Sequence, residues 1–276
     1  MGSEDLFHKR KAKTQQDTAR RNARRKPYDH VLIVCEGEKT EPLYFDEMRV
    51  YLDLDSANIK IDGSCDSSPK SVVAYADKLF TKEKNRGGNY DRVFCVFDRD
   101  QHETFDEALG EITIINAKLK KEKDLKETVF TVIQSTPAFE YWFLLHFTPS
   151  TKPYSPLGTQ SVGDQVIDDL KVYLPDYKKT QKGLYQKLVE KNLLTGAKAH
   201  SKRIFELSKT TRETNPSTNV HELVEYLEQL NKKKDSELAQ LVRERSHEKK
   251  DAIEVNLDDL IKSRVKTRTR FSLCKN

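Results

Sequence analysis

The chain has 276 residues, 36% of them hydrophobic and 34% charged, which is enough for one large domain with a core but more polar than an average globular domain. No apolar run reaches the roughly 20 residues of a membrane-spanning helix, and MGSEDLFHKRKAK lacks the apolar stretch of a secretory signal. Cys35, Cys65, Cys95 and Cys274 form no CxxC pair, which argues against a zinc site or a disulfide scaffold. A cytoplasmic protein with no membrane partner is expected. The net charge of +5 is unevenly spread: residues 1–27 carry +6 and residues 262–276 another +6, leaving −7 for residues 28–261. Basic ends of this kind suit a polyphosphate partner, and they equally suit plain solvated tails.

Taken in chain order, a basic leader (1–27) ends at Pro27, and His30–Cys35 reads as a buried strand. A helix is predicted from Thr40 or Pro42 to Leu52, and a short strand over Asn58–Asp62. Pro69–Thr81 has helical spacing (Val72, Val73, Ala76, Leu79, Phe80), and Asn85–Asn89 is a turn. Arg92–Phe97 is a strongly β-rich run. Phe105–Lys121 is an amphipathic helix, Thr128–Ile133 a fourth strand, and Ala138–Phe147 an apolar helix with the only tryptophan. Strands alternating with helices predict an α/β fold with a mostly parallel sheet flanked by helices, spanning residues 28–149. From Ser150 onward only helices are predicted: Val162–Tyr173, Leu184–Leu194, His200–Lys209 and Asn219–Lys233. They make a helical extension (150–233), before a charged tail (234–276) with one further helix, Ser236–His247.

Side chains just past the carboxyl ends of parallel strands face the functional crevice of such folds. The first strand runs into Glu36-Gly37-Glu38-Lys39-Thr40-Glu41 and the third into Asp98-Arg99-Asp100. Two carboxylates spaced Asp-x-Asp repel unless a cation sits between them, and oxygen-only ligands suit Mg²⁺ or Mn²⁺. Each acid alone also reads as a helix cap or as a partner of Lys or Arg. Gly37 is read as permitting a tight turn and a close backbone approach.

A strand ending in Glu-Gly followed by a strand ending in Asp-x-Asp resembles the Toprim fold, shared by topoisomerases, bacterial primases and overcoming-lysogenization-defect nucleases. More narrowly, VLIVCEGEKTEPLYF, RVFCVFDRDQH, STPAFEYWFLLHF and NPSTNVHELV, in this order, are similar to the RloB family, Toprim-like proteins of restriction-linked loci associated with phage defence. The resemblance covers roughly residues 28–232. It implies metal-dependent phosphodiester chemistry, with Glu36 as general base or acid and metal contact and with Asp98 and Asp100 binding Mg²⁺. Glu38 and Glu41 are further metal candidates, since related nucleases place another acid shortly after the Glu-Gly. By the same analogy the chain is an endonuclease acting on RNA, with tRNA a candidate, and the effector of an anti-phage system with an ABC-type ATPase partner (RloA-like). Fold alone does not fix substrate. A DNA nickase and a non-catalytic Toprim-shaped module that binds nucleic acid or the ATPase are the alternatives, and a homodimer is open.

Other residues carry two readings each. Glu140 is a third acid of the site or a first-turn glutamate favoured by the helix dipole. His102, next to the Asp-x-Asp, is a proton donor to a leaving oxygen or a surface histidine. Lys39 and Arg99 flank the acids, and Lys178 and Lys179 (with Lys182) and Lys202 and Arg203 (with Lys198) form a nucleic-acid-binding face or a solvated surface. Ser135 is read as a helix cap sooner than a phosphate contact. His146 and the Phe139–Phe147 aromatics are read as core, and nothing marks Tyr44 as a covalent nucleophile.

Overall fold

The structure, a computed structural model, describes residues 28–66, 68–99 and 104–248. Asp100 and His102 lie outside the described residues, as do the basic leader and the basic end. Five strands form one sheet in the order β2-β1-β3-β4-β5: β1 (Val31–Cys35), β2 (Ile59–Asp62), β3 (Arg92–Asp98), β4 (Val129–Thr136) and β5 (Ser217–Thr218). The first four are parallel, and β5 runs antiparallel to β4. β1 is buried along its whole length because both faces of the sheet are covered, which is why its sequence is a continuous apolar run.

Helix α1 (Thr40–Tyr51) covers one face, packing Tyr44, Phe45 and Met48 against Val31, Ile33, Cys35, Phe94 and Val96. Helices α2 (Pro69–Lys84) and α3 (Phe105–Leu119) cover the other, against Leu32, Val34, Val93, Cys95 and Phe97. α2 starts where the sequence supplies a cap: the Ser68 hydroxyl accepts from the Ser71 N–H and Pro69 fills the first turn. Among the described residues no helix is long and apolar enough to cross a membrane.

The remaining helices are α4 (Glu140–Leu144), α5 (Val162–Lys171), α6 (Leu184–Glu190), α7 (Leu194–Thr211) and α8 (Val220–Glu248). Leu170, Leu174, Tyr177, Leu184, Tyr185 and Leu188 join the same core as α1. Glu47 of α1 accepts from the backbone N–H groups of Gly183 and Tyr185, capping the start of α6 from across the interface. The described residues up to Lys234 form one compact unit, and those from Asp235 belong to a second.

Several predicted boundaries move. β5 was not predicted, because two residues are too short to show a period. The expected helix over Ala138–Phe147 contracts to five residues and then a turn. α7 starts at Leu194, not His200, since buried Ala197 carries it past Gly196. The predicted Asn219–Lys233 and Ser236–His247 helices are one, α8. A cavity of about 800 Å³ opens at the amino end of the sheet, beside His30, Asn58 and Gly88, and holds none of the predicted site residues.

Candidate carboxylate site

β1 leads into α1 on one face of the sheet, and β3 leads into α3 on the opposite face. The chain therefore parts between the carboxyl ends of β1 and β3, the switch point at which open α/β sheets bind ligands. Glu36 follows β1 directly, and its N–H donates to the Val96 carbonyl at 3.0 Å, extending the ladder with β3. Its Oε2 accepts from the Asp98 N–H at 2.9 Å. Glu36 and Asp98 are thus fixed side by side by strand register.

Two further carboxylates are brought to them. Glu41 enters in the first turn of α1 and is buried. Glu140 opens α4 and is only 2% exposed. The residue before it, Phe139, is buried in the core that α1 joins, and its backbone N–H favours the charged form of Asp98. Glu140 Oε1 accepts from the Tyr177 hydroxyl at 3.0 Å and from Thr40 Oγ1 at 3.4 Å, and Lys179 Nζ lies 3.9 Å away. Glu140 is thus a first-turn acid of α4 and also a charged neighbour of Glu41 and Asp98.

Crowding is visible in the proton affinities. Burial, reinforced by the charges of Glu140 and Glu36, pushes Glu41 up to about 7. Burial and the charges of Glu41, Glu140 and Glu36 hold Asp98 well above the usual carboxylate range, against the opposing Phe139 N–H. Burial beside Glu140 also raises the Tyr177 hydroxyl, so it stays a proton donor. Four carboxylates that cannot all ionise cheaply are the donor set a hard divalent cation would relieve, and oxygen-only donors fit Mg²⁺ or Mn²⁺ by chemistry. No group of three or more described His, Cys, Asp or Glu already forms a metal-holding arrangement.

Close backbone approach occurs here, but not at the glycine predicted to need it. A Cβ on Gly37 would meet only Glu41 Oε2 at 3.8 Å, an ordinary contact. A Cβ on Gly63, just past β2, would lie 2.2 Å from the Gly37 carbonyl oxygen and 2.8 Å from Pro42 Cγ. Gly63 lets the chain after β2 press on the turn that carries Glu36.

The other candidates separate by position. Glu38 is exposed and is not among the charges that chiefly lift Glu41 and Asp98. Lys39 is exposed at the start of α1. Arg99 is half-buried, its N–H on the Ser135 carbonyl at 2.7 Å and its guanidinium 4.7 Å from the Phe105 ring centre. Lys178 and Lys179 are exposed on the α5–α6 connection, and Lys179 reaches the acids. Lys202 and Arg203 sit on α7, where Lys202 acts on Glu206 and His221 and Arg203 borders a cavity with Thr151 and Glu206. Ser135 is neither cap nor open contact: it is buried, its hydroxyl paired with Thr218 Oγ1 at 3.0 Å. His146 is core, and burial pushes its imidazole down to about 4.

Thr40, Gly63 and Tyr177 are the site residues that sequence reasoning missed. Only Tyr177 left a trace, as a large side chain isolated in the lysine-rich run Pro175-Asp176-Tyr177-Lys178-Lys179.

No curated protein and no solved structure matches this chain. The family model described as RloB-like protein matches residues 31–227, a span that takes in β1 to β5, all four acids at the switch point and the Asn215–Leu223 segment. The chain belongs to the RloB family.

Proposed function

We propose that the chain is a metal-dependent endonuclease that cuts phosphodiester bonds in RNA, tRNA among the candidate targets, as the effector of an anti-phage system with an ABC-type ATPase partner. The observation that carries this reading is the pairing of Glu36 with the Asp98 backbone at the switch point, with Glu41 and Glu140 crowded against it. Glu36 and Asp98, with Asp100 beside them in sequence, would hold Mg²⁺ or Mn²⁺, and Glu41 and Glu140 stand close enough in charge to join them. When bound, the ion supplies stabilisation of negative charge on a transferring phosphoryl group.

The chain's own groups do the rest. A Glu36 carboxylate oxygen accepts the proton of an attacking water. His102, close in sequence to the Asp98-Arg99-Asp100 run, would return a proton to the leaving oxygen. The Lys179 ammonium offers a positive charge at the rim of an otherwise acidic site, where a phosphate must approach. The rival reading, a non-catalytic module that binds the ATPase or nucleic acid, draws on the absence of a ready-made metal arrangement among the described residues.

Mapping RNA ends in cells that express the chain with its ATPase partner under phage challenge tests the proposal. New ends at defined positions, lost in a Glu36→Ala, Asp98→Ala variant, are the expected result. Unchanged RNA with protection that survives the double substitution favours the binding module, and new DNA nicks in its place favour a nickase.

A further inference from the structure

Resting on the metal-site reading above, the geometry points to Tyr177 as a positioning residue for the site: it holds one oxygen of Glu140 so that the other is presented to the neighbouring carboxylates. Tyr177 lies on the connection between α5 and α6, in a stretch whose other residues from Pro175 to Thr180 are exposed, yet its own side chain is only 4% exposed. The ring packs 5.9 Å from Phe143, and the hydroxyl ends on Glu140.

The polar partners of Glu140 all fall on Oε1: the Tyr177 hydroxyl, the longer bond from Thr40 and the Lys179 ammonium. Among the described residues none is made to Oε2. Glu140 charge raises the proton affinity of both Glu41 and Asp98, so the three acids lie within electrostatic reach of one another. Thr40 Oγ1 also lies 3.4 Å from the Lys179 carbonyl, which anchors the connection over the start of α1. The helical extension thereby contributes to a site whose acids all come from the α/β part. An outer hydrogen bond of this type orients a ligating group and typically changes metal affinity or activity by about 10–100-fold.

The test uses the full chain and Mn²⁺ as the probe. Tyr177→Phe keeps the ring in the core and removes only the donor. Mn²⁺ affinity from calorimetry should fall about tenfold, the kcat for RNA cleavage should fall with it, and KM for RNA should stay put. Thr40→Val, which removes the longer bond, should shift Mn²⁺ affinity the same way by less. Wild-type Mn²⁺ affinity and kcat in Tyr177→Phe would overturn the inference and leave the metal site standing. A wild-type chain that binds no Mn²⁺ would overturn both.

Discussion

Glu36 and Asp98 are 62 residues apart in sequence, and a backbone-to-carboxylate bond joins them. Their meeting was legible because each directly follows an apolar strand, and parallel strands end at the same edge. Glu140 was half legible: its place after β4 suggested the edge, but its burial and its bonds from Tyr177 and Thr40 had no local pattern to announce them. Thr40 and Tyr177 were not legible, since they reach Glu140 from 100 and 37 residues away with no local pattern to mark them. Gly63 was hidden for a similar reason, because its constraint comes from the Gly37 carbonyl on another strand's turn. Gly63→Ala must displace that turn. We expect a loss of about 1–3 kcal/mol in urea unfolding, with a weaker Mg²⁺-induced rise in Tm. An unaltered unfolding midpoint and Tm rise would show that the turn yields freely.

At the level of elements, the four parallel strands and the three helices between them were readable from apolar runs and helical spacing. β5 was not, because two residues carry no period and the pairing that follows them runs through the Asn219 side chain. Asn219 continues the ladder beyond Ser217 and Thr218: its Oδ1 accepts from the Gln134 N–H at 2.7 Å, its Nδ2 donates to the Val132 carbonyl at 3.0 Å, and its N–H donates to the Gln134 carbonyl. Thr218 Oγ1 donates to the same Gln134 carbonyl, and Ser201 donates to the Thr218 carbonyl. The NPSTNVHELV motif thus serves to pin the start of α8 to the edge of the sheet. Asn219→Ala leaves the Gln134 N–H and the Val132 carbonyl without these partners, and should cost about 2 kcal/mol in chemical denaturation. A stability change below about 0.5 kcal/mol would mean that water replaces the side chain at the edge.

Across the whole molecule, charge and chemistry are separated. The acids that define the site belong to a body of net charge −7, while each end of the chain carries +6. A polyanionic substrate approaching four carboxylates meets repulsion, which a bound divalent cation and basic ends would both offset. Deleting residues 1–27 and 262–276 should weaken RNA binding and flatten its salt dependence, by about 0.7 in the log–log slope for each phosphate that the ends neutralise. The maximal cleavage rate should persist. Filter binding across a salt series would reveal it, and an unchanged slope would assign RNA binding to the body, with Lys178 and Lys179 first in line.

A metal-dependent cutting site at the switch-point carboxylates would show itself on naked substrate. The most direct measurement is cleavage of total tRNA by the purified full chain, with Mg²⁺, with Mn²⁺ and with chelator, beside the folded Glu36→Ala, Asp98→Ala variant. Discrete fragments are expected only with metal and only from the wild-type chain. Cutting that persists in chelator, or equal cutting by the double variant, would contradict it.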